Sequence, residues 1–149
     1  MILVTGANGR VGNVLVKELE SRGYKVKVFV REKSDLTSLE GCNCDYAYGD
    51  ILKRDTIAKA LVGVDVVFHL AGFINISPKD RDITMKVNIE GTKNIADLCL
   101  EQQIPLIYSS SIHAIDAPED NSLITEDTPL ATNLQESRGA YDYSKAIAT

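Results

Sequence analysis

The chain has 149 residues, long enough for one domain with a sizeable core. Its 44% apolar and 25% charged composition is that of a globular protein, and a formal net charge of −5 argues against a general nucleic-acid binder. No apolar run approaches the roughly 20 residues needed to cross a bilayer. Met1–Val4 lacks the basic flank and long apolar stretch of a signal peptide, so the expected location is cytoplasmic. Cys42, Cys44 and Cys99 form no zinc-type spacing and read as free or buried thiols, with no metal site expected.

Met1–Thr5 is a short apolar strand. Arg10–Arg22 reads as an amphipathic helix with Val11, Val14, Leu15 and Leu19 on one face, stopped by Gly23. Lys25–Val30 is a valine-rich strand and Asp45–Tyr48 a short third one. Thr56–Leu61 is a short helix, Asp65–Leu70 a continuous apolar strand, Asp80–Gln103 a long helix and Ile104–Ser109 a fifth strand. Such alternation implies βαβ units, and right-handed crossovers then favour a doubly wound, Rossmann-type parallel α/β sheet in the order 3-2-1-4-5. Residues 112–138 break the alternation: they are polar and carry Pro118 and Pro129. A stretch of that length in a compact domain is usually functional or mobile. Tyr141–Thr149 reads as the first turns of a further helix, so 1–149 is expected to be the nucleotide-binding domain of a longer chain.

Thr5-Gly6-Ala7-Asn8-Gly9-Arg10-Val11-Gly12 lies directly after a strand and opens a helix. That context is what a dinucleotide fingerprint requires. Gly6 permits the tight turn, Gly9 lets amide groups approach a pyrophosphate, and Gly12 lets the helix pack closely on the sheet. The helix N-terminus favours the anion. Arg31 falls at the end of the second strand, where an acidic residue would accept hydrogen bonds from a ribose; a guanidinium there suits a 2′-phosphate, with Lys33 and Ser34 able to help. NADP is therefore favoured over NAD. Asp50, after the third strand, can accept from the adenine amino group or cap the following helix; the pattern leaves both open.

Tyr141 and Lys145 are spaced i, i+4 and share one face of a helix. A neighbouring ammonium favours the phenolate of a tyrosine whose ordinary pKa is about 10. Ser109-Ser110-Ser111 closes the fifth strand, and a serine hydroxyl there can hydrogen-bond a substrate oxygen.

With HLAG at 69–72, VNIEGTKN at 87–94, YSSS at 108–111, TEDTPL at 125–130 and YDYSK at 141–145, the glycine turn resembles the extended branch of the short-chain dehydrogenase/reductase superfamily. That branch includes epimerases, dehydratases and dihydroflavonol-type reductases. The resemblance implies Tyr141 as general acid/base and Lys145 as holder of the nicotinamide ribose. It implies Ser111, with Ser110 as the weaker choice, as the group that orients the reacting oxygen. It further implies a cofactor groove of Gly6, Asn8, Gly9, Arg10, Val11, Gly12, Arg31, Asp50, Ile51, Leu70, Ala71, Gly72 and Lys145, with Asn88 supporting the adjacent helix. Extended members are about twice this length, and their C-terminal half supplies most of the substrate pocket. The expected function is hydride transfer between the nicotinamide and a carbinol or keto carbon of a small substrate, reductase-like. A nucleotide-sugar epimerase or dehydratase with tightly bound NAD is the alternative. A non-catalytic NADP sensor is the second alternative. Neither nucleic acid nor membrane is an expected partner, and a homodimer of the full-length protein is left open. A hydrolase built on Ser111, His113 and Asp116 fits no known triad order.

Overall fold

A computed structural model describes residues 1–74, 77–116, 123–133 and 139–149. The chain divides into two compact units, Met1–Ala71 with Thr92–Ser109 and Gly72–Gly91 with Ser110–Thr149.

The first unit is built on a five-stranded parallel sheet in the order β3-β2-β1-β4-β5. Its strands are β1 (Ile2–Thr5), β2 (Val26–Val30), β3 (Asp45–Tyr48), β4 (Val66–His69) and β5 (Leu106–Tyr108). The doubly wound order expected from the alternation is the one observed. Side-chain alternation sends Ile2, Val4, Val26, Val28 and Val30 into one cluster, to which helix α1 (Arg10–Ser21) contributes Val16 and Leu19. Leu3, Val67, Ile57, Leu61 and Ile95 are also buried; Ile57 comes from α2 (Arg54–Ala60) and Ile95 from α4 (Thr92–Glu101). Gly23, at φ +81°, closes α1: its N–H bonds to Glu20 and that of Tyr24 to Leu19, satisfying carbonyls the helix leaves open.

The face of α1 differs from expectation. Val11 and Val14 are 68% and 62% exposed, and the buried stripe is Gly12, Val16 and Leu19, with Leu15 partly covered. Gly12 decides this, because helix and turn approach so closely there that a Cβ would stand 2.1 Å from the Gly6 carbonyl oxygen. The closest line of the helix therefore runs i, i+4, i+7 from a residue with no side chain, which a hydrophobicity pattern cannot register.

The second unit contains α3 (Arg81–Met85), a π-helical segment (Lys86–Gly91) and α5 (Ala140–Ala148). The helix expected over Asp80–Gln103 is thus broken in type: the extra residue of the π segment leaves Asn88 buried rather than in a regular α-helical register. Within 112–138, Ile112–Ala114 forms a 3₁₀ turn. Ile115 pairs antiparallel with Leu130, through Asp116 N–H to Pro129 and Ala131 N–H to Ala114. Pro118 lies outside the described residues. Among the described residues, no helix is long and apolar enough to cross a membrane.

Candidate active site

In the first unit the glycine turn is shaped by its neighbours. Gly6 has φ +68°, and a Cβ there would stand 2.7 Å from the backbone of Leu70 and Ala71. Together with the Gly12 approach, this makes two of the three glycines requirements of the fold itself. Gly9 is different. It is extended, it is the residue before α1, and its own N–H is spent on the Gly6 carbonyl at 3.0 Å. The amides of the first turn of α1, at Arg10, Val11 and Gly12, precede the first helical bond, from Asn13 N–H to the Gly9 carbonyl, and a helix cannot bond them internally. No side chain caps that terminus and no acid lies in its first turn, so the cradle fits an anionic diphosphate.

Asn8 donates to the Asp35 carbonyl at 3.1 Å, and its own carbonyl accepts from Ser38 Oγ at 3.1 Å, so the turn is tied to the segment after β2. Arg31 sits exposed in that segment, where Ser34 N–H closes a turn on its carbonyl at 2.9 Å. The Asp35 carboxylate accepts from the hydroxyl and the N–H of Thr37, which hold its pKa below the usual value. Asp50 turns its carboxylate to Leu52 N–H at 2.9 Å, closing the turn before α2. Ile51 is buried and its carbonyl accepts from Asn94 at 3.0 Å.

In the second unit Tyr141 and Lys145 lie one helical turn apart on α5, on the shared face that their spacing implied. Lys145 is buried, and desolvation lowers its pKa below the ordinary lysine value. Its Nζ lies 3.9 Å from where a Gly72 Cβ would stand, and Asn88 Oδ1 lies 3.5 Å from the same point. Asn88 holds three segments together: it accepts from Phe73 N–H at 2.7 Å, and donates to the Phe73 carbonyl at 3.1 Å and to Ser144 Oγ at 3.0 Å. Ser144 in turn donates to the Tyr141 carbonyl at 2.8 Å.

The two serines separate cleanly. Thr149 donates its hydroxyl proton to the Lys145 carbonyl at 2.7 Å, so Ser110 is the donor in the 2.6 Å contact with Thr149 and its proton is committed. Among the described residues, Ser111 accepts from His113 N–H at 3.2 Å and finds no acceptor for its own hydroxyl proton. His113 was legible in the sequence only as a neighbour of Asp116. The fold pairs it instead with Asp142, at 3.3 Å from Nδ1 to Oδ1, and sets its ring edge-on to Tyr141 with centroids 6.0 Å apart. Its position just after the serine run was the one signal that could have found it.

The model of the 3-beta hydroxysteroid dehydrogenase/isomerase family matches residues 3–149. The chain belongs to this family. Its relatives include sterol demethylase protein B of Methylococcus capsulatus, 44% identical over 114 residues, covering 76% of this chain and 35% of that protein. The 2-alkyl-3-oxoalkanoate reductase of Shewanella oneidensis is 34% identical over 146 residues, covering 97% of this chain and 36% of that protein. A solved short-chain dehydrogenase/reductase superfamily protein from Agrobacterium tumefaciens, with bound NAD, superposes with a TM-score of 0.82 at 31% identity, covering 99% of this chain and 42% of that one. The family thus sits within the superfamily that the sequence motifs resemble. The chain spans about a third of the length of the two relatives.

Proposed function

We propose that the protein to which residues 1–149 contribute the nucleotide-binding domain is an NADP(H)-dependent oxidoreductase acting on a keto or carbinol carbon of a small substrate. The observation that carries this reading is the buried Lys145 one turn from Tyr141, beside the side-chain-free Gly72. The bound nicotinamide supplies or accepts the hydride. Tyr141 holds the proton exchanged with the reacting oxygen at its phenol oxygen, and the Lys145 ammonium favours the phenolate when that proton leaves. Ser111 donates its remaining proton to the reacting oxygen, fixing the carbon's orientation. The amides opening α1 are suited to hold the pyrophosphate. Arg31 supports the choice of NADP, because an exposed guanidinium can pair with a 2′-phosphate through two charged hydrogen bonds. The similarity to an oxoalkanoate reductase over 97% of the chain supports a reductase.

The test is the absorbance of the purified full-length protein, followed by NADPH oxidation against a panel of ketones. A reductase carries no retained nicotinamide and consumes NADPH. Tightly held, non-exchanging nicotinamide would instead assign the protein to the epimerases or dehydratases.

A further inference from the structure

The acid/base reading makes no use of His69, a fully buried titratable side chain. His69 ends β4 inside the first unit, in the otherwise apolar run Val66-Val67-Phe68. Its Nδ1 is 2.7 Å from Thr5 Oγ1, its Nε2 is 3.0 Å from Thr92 Oγ1, and its ring stacks on Tyr108 at 5.6 Å. The ring therefore touches β1, α4 and β5 at once.

The Ala71 N–H donates to Thr5 Oγ1 at 3.2 Å. Thr5 is itself fully buried, and a buried polar group left unpaired is costly, so the bond between Thr5 Oγ1 and His69 Nδ1 counts whichever of the two donates. The chain of contacts runs from the Ala71 N–H to Thr5, to His69 and on to Thr92.

These contacts join the two main-chain walls of the glycine corner. Thr5 immediately precedes Gly6, and Gly6 packs so tightly on Leu70 and Ala71 that a Cβ would stand 2.7 Å from either. A shift of Thr5 or of Ala71 by a few tenths of an ångström changes the floor of the turn. We infer that His69 is a positioning residue for dinucleotide binding, holding the Thr5–Gly6 corner against Ala71 through the hydrogen bond between its Nδ1 and Thr5 Oγ1. This rests on the reading of the glycine turn as the dinucleotide site.

The experiment uses the full-length protein, with NADP⁺ and NADPH titrated calorimetrically and the melting temperature of each variant recorded. The side-chain oxygen of His69→Asn stands where Nδ1 does, so it keeps the bond to Thr5 and loses Thr92. Its affinity is expected within about threefold of wild type, whereas His69→Leu weakens binding by about tenfold, the loss of a single buried hydrogen bond. Thr5→Val should weaken binding to the same extent, and the double variant Thr5→Val/His69→Leu no further. A folded His69→Leu protein with wild-type affinity, or an Asn variant no better than Leu, would each overturn the inference. If the wild-type protein binds no dinucleotide, the reading of the glycine turn fails first, while the melting temperatures still decide the bond: His69→Leu and Thr5→Val proteins that melt with the wild type would show that the corner needs no such tie.

Discussion

Around Gly6–Gly12 the groups proposed to meet a ligand are main-chain amides, whereas on α5 they are the side chains of Tyr141 and Lys145, joined by that of Ser111 at the cap of a 3₁₀ turn. The turn is shaped by contacts so close that two of its glycines admit no Cβ. The α5 site is shaped by one buried amide, Asn88, bonded to residues 15 and 56 positions away. The first region should therefore fail through added volume and the second through removed polarity or charge.

The largest effect is expected on α5. Tyr141→Phe in the full-length protein should lower turnover by about 10²–10⁴-fold, the range for general acid/base assistance, with cofactor affinity nearly unchanged. Steady-state kinetics together with a cofactor titration check both halves, and wild-type turnover would remove Tyr141 from the mechanism.

Added volume sharpens the contrast between glycines. Gly12→Val should destabilise the fold by about 3 kcal/mol or more and abolish cofactor binding, because its Cβ would lie 2.1 Å from a carbonyl oxygen that is part of the turn. Gly72→Ala meets only ordinary contacts at 3.5 and 3.9 Å. It should leave denaturant-midpoint stability near wild type and, if Gly72 lines the groove, weaken cofactor binding alone. Equal stability losses at both positions would erase the distinction.

Removing polarity gives the next effect. Asn88→Ala leaves the Phe73 N–H without its acceptor and Ser144 without its donor, for about 1–3 kcal/mol in chemical denaturation. A loss below about 0.5 kcal/mol would mean that water replaces the amide and that the π segment needs no polar anchor.

Arg31→Asp tests the exposed rim of the first region, where charge and not packing acts. The wild-type protein should bind NADPH about tenfold more tightly than NADH, and the variant should reverse the order. Equal binding of both cofactors by the wild type would refute the role given to Arg31.

The smallest effect concerns stability at α5. Burial lowers the pKa of Lys145, so the folded state binds its proton less tightly than the unfolded state. The charged form therefore weakens the fold below the folded pKa, and this penalty fades as pH rises towards 10.5. Lys145→Met should melt a few degrees higher than wild type at neutral pH, with the gap closing at alkaline pH, while losing activity. A variant that melts lower at neutral pH would show that the partners of the ammonium outweigh its desolvation.

Strand order and the tight geometry of the glycine turn were legible because both depend on short-range pattern. Apolar runs separated by helical segments admit few right-handed arrangements, and a glycine-rich corner between strand and helix is local geometry. The Tyr141–Lys145 pairing was legible for the same reason, since i, i+4 neighbours meet on any helix. The buried stripe of α1 was not, because the residue that determines it is Gly12, which carries no hydrophobic signal. Nor was the π segment at Lys86–Gly91, within which Asn88 bonds to Phe73 and Ser144, partners distant in the chain.

What the sequence alone determined is thus a doubly wound sheet, its tight glycine turn and a tyrosine–lysine helix face, all consequences of periodicity and steric limits within a few residues. Only the tertiary structure decided that Ser110 is committed to Thr149 while Ser111 finds no acceptor among the described residues, that His113 answers to Asp142 rather than Asp116, and that His69 bridges Thr5 and Thr92. Each of those is a hydrogen-bond or charge choice between residues distant in the chain, settled by which donors and acceptors burial leaves without water.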